Sequence, residues 1–175
     1  MKTFLILFFL ILVSCTVAEQ KDQLWLQSND RQILSYNAAF FPSPNQQKPE
    51  YGRSGFIHPI LTPKGRVVTD PFPIDHMHQH ALMFAWTSSF IEGRKVDFWN
   101  SHKKQGKIEH LETISADKDK IIVRLRHIHL TGEKPLAVIH ETWEISRVPH
   151  KNLNIFDLKS TQNCVIETPV KIKKY

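Results

Sequence analysis

Ile121-Ile122-Val123-Arg124-Leu125-Arg126-His127-Ile128-His129-Leu130 is the stretch of this chain that decides its fold class. Successive side chains of a β-strand point to opposite faces. One face is therefore apolar and ends in a His-x-His pair, made of Ile121, Val123, Leu125, His127 and His129. The alternation predicts a half-buried strand. The two histidines are either metal ligands or polar strand ends, and we favour the second interpretation because strand ends commonly reach solvent.

Short segments of the same character follow one another along most of the chain, with turn residues between them. Thr62-Pro63-Lys64-Gly65 and Glu92-Gly93 have the composition of turns. The pattern predicts an all-β protein, an antiparallel β-sandwich. The predicted strands cover residues 24–26, 32–36, 55–61, 65–69, 82–90, 107–115, 120–130, 136–147, 153–161 and 164–172.

Glu141 stands out in the strand predicted over residues 136–147. The alternation places it on an apolar face with Ala137, Ile139, Trp143 and Ile145. A buried carboxylate without a partner is costly. We therefore expect a cationic or metal partner, a raised pKa or a cleft open to water, and the last two are typical of a general acid or base. The alternative is an ordinary solvated position at a sheet edge.

The chemistry is expected around Asp75-His76-Met77-His78-Gln79-His80-Ala81-Leu82-Met83-Phe84-Ala85-Trp86. Pro71 and Pro73 disfavour a helix upstream, so we predict an extended segment in which His76, His78 and His80 share one face. A helix would bring only the first and last of them together. Asp75 supplies a carboxylate beside them. An extended strand rises roughly 3.3 Å per residue, so one adjacent pair can reach a single ion but all three cannot.

Aromatic residues near this segment suggest a sugar-binding surface. Flat faces of Trp86 and Trp99 can stack on sugar rings, while Asp97 can bond to hydroxyl groups. The competing interpretation is that these rings belong to the core.

The N-terminus has the pattern of a secretory signal peptide. Lys2 precedes an apolar run over residues 4–13, which is too short to span a membrane. Leu12-Val13-Ser14-Cys15 matches the bacterial lipobox, which predicts a signal peptide over residues 1–14, lipidation of Cys15 and a tether over residues 15–23. The alternative is cleavage after Ala18, which leaves no lipid. In either case the protein is expected to be exported. If Cys15 is lipidated, that lipid is the only membrane contact expected.

Composition limits the remaining function classes. The formal net charge of +6 is spread over short clusters, which argues against a nucleic-acid partner. With Cys15 acylated, Cys164 would be the one remaining cysteine, so no intramolecular disulfide is expected. Residues 24–175 are long enough for a single domain with its own core.

A set of motifs resembles a bacterial exported family of unknown function that carries the label "methane oxygenase PmoA". The motifs are Arg53-Ser54-Gly55-Phe56-Ile57-His58-Pro59, Thr62-Pro63-Lys64-Gly65, Asp75-His76-x-His78-Gln79-His80, Phe84-Ala85-Trp86 and Val96-Asp97-Phe98-Trp99. The enzyme name is set aside, because that membrane subunit needs several spanning helices. The family often has His-Arg-Gly where this chain has Gln79-His80-Ala81, and its domain is longer, so the resemblance implies a shortened or incomplete sheet here.

The resemblance further implies a sandwich of the galactose-mutarotase type, in which histidines and carboxylates on a concave sheet act on sugars. It adds His58 to Trp86, Asp97 and Trp99 as expected substrate contacts. The leading hypothesis is acid/base chemistry on a carbohydrate. The residues expected to carry it are His76, His78, His80, Glu141 and Asp75.

Two alternatives remain open. The first is a noncatalytic carbohydrate-binding or surface-assembly module. The second is a Zn or Fe site formed by His78 with His80 or by His76 with His78, joined by a carboxylate or by the pair His127 and His129.

Overall fold

The computed structural model describes residues 21–44 and 48–173. Over these residues the chain forms ten β-strands and two short 3₁₀ helices, Pro49–Tyr51 and Ser101–Lys103, which confirms the all-β prediction. The strands are β1 Gln23–Ser28, β2 Arg31–Asn37, β3 Phe56–Ile60, β4 Ser89–Ile91, β5 Arg94–Val96, β6 Gly106–Ala116, β7 Lys120–His129, β8 Leu136–Val148, β9 Ile155–Cys164 and β10 Lys171–Ile172.

The strands form antiparallel sheets, and the largest has the order β6-β7-β8-β9. The others are three-stranded, with the orders β1-β2-β3 and β10-β4-β5. In the large sheet Val123 pairs with Trp143 and Leu125 pairs with Glu141. Residues that pair directly across two strands lie on the same face. The alternation that the sequence showed on each strand therefore adds up to one continuous inner face.

The core lies between this inner face and the sheet β1-β2-β3, as expected of a β-sandwich. Leu26 and Leu34 from one layer and Val123 from the other are fully buried. The ring of Tyr36 on β2 meets that of Trp143 on β8 edge to face, with centroids 6.1 Å apart. Burial of these side chains from two facing sheets supplies the main stabilising free energy of the fold.

Gly55 allows the two layers to approach closely just before β3. Its φ is +73°, and a Cβ built there would lie 2.6 Å from Cδ2 of Leu125. Both the left-handed backbone and the close contact exclude a side chain at this position. The approach fixes the preceding residues, Arg53 and Ser54, against the large sheet, where the side chain of Ser54 accepts the backbone N–H of His110.

Three predicted strands were wrong or too long. Residues 65–69 and 82–87 are irregular apart from isolated bridges at Val67 and Leu82, and the segment predicted over 164–172 is reduced to β10. The sequence also missed β5, which follows the correctly predicted Glu92-Gly93 turn. The run over 82–87 is apolar because it packs on the core, and β-propensity does not distinguish such packing from strand pairing.

The predicted signal peptide, the lipidation of Cys15 and most of the tether lie outside the described residues. Gln23, assigned to the tether, is the first residue of β1. No helix in the described part of the chain is long and apolar enough to cross a membrane.

Candidate functional site

The segment around His76 forms two consecutive turns, so the prediction of an extended segment was wrong. The backbone N–H of His76 donates to the carbonyl of Pro73 at 2.9 Å, and that of Gln79 donates to the carbonyl of His76 at 2.8 Å. A strand needs a neighbour for its ladder of hydrogen bonds. Within described residues 73–82 only Leu82 has one, in an isolated bridge to β3. The alternating histidines therefore do not share a face.

His80 differs from His76 and His78 in being buried. Its side chain is 1% exposed and packs against the rings of Phe56 and Phe72. Its Nδ1 donates to the carbonyl of Pro71 at 2.9 Å. Burial lowers the pKa of His80 to about 3, and the neighbouring Arg53 guanidinium adds to the effect. This neutral imidazole holds the loop in place, which does not suit the metal pair predicted from His78 and His80.

His76 and His78 instead lie near a histidine that the sequence analysis missed. Their ring centroids are 6.0 Å apart, and the ring of His78 lies 5.9 Å from that of His102, which comes from the 3₁₀ helix after β5. We call His76, His78 and His102 the histidine cluster. His76 and His102 are exposed, His78 is half-buried, and Asp75 is exposed beside them.

Glu141 lies at the centre of a second polar group, which we call the Glu141 network. Its carboxylate is fully buried on β8, and side chains from both neighbouring strands donate to it. Oε2 accepts Nε2–H of His127 at 2.7 Å. Oε1 accepts Nε1–H of Trp143 at 2.7 Å, Oγ–H of Ser160 at 2.6 Å and Nε2–H of Gln162 at 3.2 Å. The sequence predicted a cationic or metal partner, a raised pKa or a cleft open to water, or else a solvated edge. The structure instead buries the carboxylate and supplies it with hydrogen-bond donors.

These hydrogen bonds decide the charge of Glu141. Burial alone would raise its pKa, but the donors His127, Ser160 and Trp143 outweigh burial and lower the pKa below the ordinary value of 4.5. Glu141 is therefore an ionised carboxylate at neutral pH. An ionised carboxylate can orient the side chains that donate to it. It cannot act as the general acid that a raised pKa would have provided.

A buried cation and a buried phenol lie beyond the donors of Glu141. Arg53 is 8% exposed, and burial lowers its pKa to about 10, opposed by the charges of Glu141 and Tyr36. Among the described residues no carboxylate lies within 4.0 Å of the guanidinium, which donates to the carbonyl of Phe84 at 3.4 Å. The hydroxyl of Tyr36 lies 3.0 Å from Nδ1 of His110, and burial raises the pKa of Tyr36, so this hydroxyl is the donor.

The Glu141 network reaches the molecular surface through β9. Gln162 pairs in register with Glu141, and its Oε1 accepts the indole N–H of Trp86 at 2.8 Å. Ser160 is exposed, whereas Gln162 and Trp86 are half-buried. We call these three residues the Trp86 surface. A chain of hydrogen bonds therefore ties an indole ring at the surface to the buried carboxylate.

The second His-x-His pair is divided between two partners. His127 bonds to Glu141, whereas Nε2 of His129 lies 2.6 Å from Oγ1 of Thr131. Both imidazoles are buried, and Nδ1 of His127 is without a partner in the described structure, beside the ring of Phe98. Each of the two imidazoles is therefore hydrogen-bonded to a polar side chain of the fold. In residues 21–44 and 48–173, no group of three His, Cys, Asp or Glu side chains is arranged to hold a metal ion.

The remaining predicted contacts serve the loops around the site. Asp97 is 2% exposed and accepts the backbone N–H groups of Trp99 and Asn100, at 3.0 and 2.9 Å. It also accepts Nζ of Lys103 at 2.8 Å. Its oxygens are therefore used to fix the loop that carries the 3₁₀ helix. His58 lies 3.0 Å from Oγ1 of Thr69.

Comparisons with known proteins give a family without a known activity. No curated protein and no solved structure matches the chain. The match that was found is to the family described as "Family of unknown function (DUF6807)", and it covers residues 23–175. This span includes every strand, the Glu141 network and the histidine cluster. The chain belongs to this family of unknown function.

Proposed function

We propose that this protein binds carbohydrate at the Trp86 surface. The observation that carries the proposal is the chain of hydrogen bonds from the buried Glu141 carboxylate through Gln162 to the indole of Trp86. Ser160 is held by the same carboxylate. An ionised, fully buried anchor fixes all three side chains before a ligand arrives.

The groups left free on this surface match the chemistry of a sugar. Gln162 uses its oxygen and one N–H internally, which leaves its second N–H as a donor. The Ser160 hydroxyl donates to Glu141 and retains lone pairs that accept from a sugar hydroxyl. The indole of Trp86 packs partly on the core and meets the ring of Phe84 edge to face, and its accessible part is apolar surface for the C–H groups of a sugar ring. Because the side chains are already ordered, binding costs little conformational entropy.

A second candidate function is acid/base chemistry on the bound sugar by His127 and Glu141. The observation that favours it is their 2.7 Å hydrogen bond, in which a carboxylate orients an imidazole whose Nδ1 is unpartnered among the described residues. Both side chains are 0% exposed, so this chemistry needs an opening of the sheet edge before substrate can reach the imidazole. Binding needs no such movement, which is why we favour it.

Glycan-array screening followed by calorimetry with the strongest oligosaccharide tests the proposal. We expect binding by the unaltered chain and a loss of roughly tenfold or more on Trp86→Ala, because the variant removes the aromatic ring that packs against the sugar, and tenfold corresponds to about 1.4 kcal/mol. Gln162→Ala should weaken binding as well, since it releases the indole.

Trp25→Ala is the matched control. Trp25 is also half-buried, but it lines a separate groove of 630 Å³ between β1 and β6. Absence of binding to any glycan, or loss of binding on Trp25→Ala with Trp86→Ala unaffected, would overturn the assignment. Turnover of a bound glycan that disappears on His127→Gln would favour the acid/base function.

The proposal includes the location expected from the N-terminal sequence. An exported lipoprotein, anchored at Cys15, would meet glycans outside the cytoplasm, as the resemblance to the exported PmoA-labelled family implies. Cys15→Ser should then release the protein from the membrane fraction, because one acyl chain alone binds only marginally and several on one residue bind stably.

A further inference from the structure

We infer that the free edge of β9 pairs antiparallel with β9 of a second copy of this chain, which joins the two large sheets into one. The inference is independent of carbohydrate binding. It rests on an unprotected strand edge and on charges along β9 that complement each other in one pairing register.

β9 is the last strand of the large sheet and has no described strand on its outer side. Over residues 21–44 and 48–173, β8 is the strand that pairs with it. The backbone hydrogen bonds that the described residues form outside the sheet ladders do not involve residues 155–164. One side of this ten-residue strand therefore presents unpaired N–H and C=O groups, which are a template for another strand.

The two edges of the large sheet differ in regularity. The pairing of β6 with β7 shifts register at two places. β9 pairs with β8 from Ile155 to Cys164 without a shift, and it contains no proline. Bulges and prolines protect a strand edge from further pairing. β9 has neither, so it is the edge that suits a second strand.

The charged residues of β9 select the register. Two identical antiparallel strands related by a twofold axis pair around a central residue. With Leu158 at the centre, Asp157 lies opposite Lys159 of the second copy, and Lys159 lies opposite Asp157 of the second copy. Opposite charges at directly opposed positions stabilise a strand pair, and like charges destabilise it.

The neighbouring registers lack this match. Moving the centre by one residue places Asp157 opposite Asp157 or Lys159 opposite Lys159. Moving it by two residues leaves both charges opposite uncharged residues. The register centred on Leu158 is therefore favoured, and it pairs residues 155–161 of each copy, all of which lie within β9.

Both charged side chains are accessible to a second copy. Asp157 is exposed and takes part in no ion pair among the described residues. Lys159 is 70% exposed, and its contact with Glu144 at 2.9 Å leaves further N–H donors free. Each side chain can therefore bind its counterpart across the strand pair.

Apolar side chains of β9 become covered in the same arrangement. Phe156 and Leu158 are half-buried and pack against the core. Leu158 lies opposite Leu158 of the second copy, so apolar area that is exposed in one copy leaves water in the pair. A surface that contacts its own copy in this way is typical of twofold dimers.

Analytical ultracentrifugation of the chain over a range of concentrations tests the inference. Reducing conditions exclude a disulfide between copies through the exposed Cys164. We expect the mass of a dimer at high concentration. Asp157→Lys and Lys159→Asp should each raise the dissociation constant of the dimer about tenfold or more, because each places like charges opposite each other at two positions.

An equimolar mixture of these two variants should dimerise again, because every opposed pair then joins a lysine to an aspartate. Lys95→Asp is the control, since Lys95 is exposed on β5 in a different sheet. Trp86→Ala should also dimerise normally, so failure of the carbohydrate proposal leaves this one testable. A monomer at every concentration would overturn the inference. Dimerisation that neither charge change weakens, or a mixture that stays monomeric, would do so too.

Discussion

Glu141 and the histidine cluster are both concentrations of polar groups, yet they differ in how their hydrogen-bonding capacity is used. Glu141 lies in a regular sheet, and both its oxygens accept side-chain donors from the same fold. The cluster lies in loops, the ring of His78 has its centroid about 6 Å from those of His76 and His102, and two of the three rings are exposed. A saturated group holds structure, whereas an unsaturated one is available to a ligand. The difference assigns a structural role to the first region and leaves the imidazoles of the second accessible at the surface.

The largest effect expected from this difference is on stability, at Glu141. Glu141→Leu would leave the buried donors of His127 and Trp143 without an acceptor. Each buried donor that is left without an acceptor costs about 1–3 kcal/mol. The free energy of unfolding measured by urea denaturation should fall by the sum of these costs. Glu141→Gln should lose less stability, because its amide oxygen can still accept a hydrogen bond.

Glu144→Gln is the control on the same strand, since Glu144 binds Lys120 and Lys159 at the solvent side. Its denaturation midpoint should hardly move. If the two positions proved equally tolerant, the Glu141 network would not be the structural anchor described above.

The next effect is a pH dependence that arises from His80. Its pKa is lowered to about 3 in the folded chain from 6.5, so below pH 6.5 the unfolded chain takes up a proton that the folded chain does not. The stability that neutral His80 provides is complete above pH 6.5. It is lost as the pH falls toward 3, with a slope of about 1.4 kcal/mol per pH unit.

His80→Asn should flatten this slope, because asparagine can keep the bond to the Pro71 carbonyl but does not titrate. Phe72→Leu, which alters the packing on the same ring, should lower stability and leave the slope in place. Thermal unfolding at a series of pH values distinguishes the two. An unchanged slope in His80→Asn would contradict the assignment.

The smallest effect is expected at the histidine cluster itself. His76→Ala and His102→Ala remove exposed rings from loops and should change stability by no more than about 0.5 kcal/mol. Chemical denaturation without metal measures this. A loss comparable to that of Glu141→Leu would mean that the cluster is a structural element, and the comparison between the two regions would fail.

The strand predictions show where sequence patterns are reliable. Alternation identified β7 and β8 and placed Glu141 on the inner face, because burial of one face leaves a period of two in the sequence. The same reasoning failed for residues 73–87, where proline and short polar residues favour turns and the apolar residues pack without strand pairing. In both regions the β-propensity of the residues reflects their burial. Whether a buried segment also pairs as a strand depends on the presence of a neighbouring strand.

By itself the sequence determined the all-β class, the turn at Glu92-Gly93 and the place of Glu141 on an apolar strand face. Only the tertiary structure decided which side chains satisfy that carboxylate, because all except Trp143 come from positions 14 to 21 residues away. Through Gln162 the network also reaches Trp86, which is 76 residues from Gln162. It also brought His102 to His78 and buried His80. Such contacts depend on how sheets and loops pack in three dimensions, and a periodic pattern along one strand carries no information about that packing.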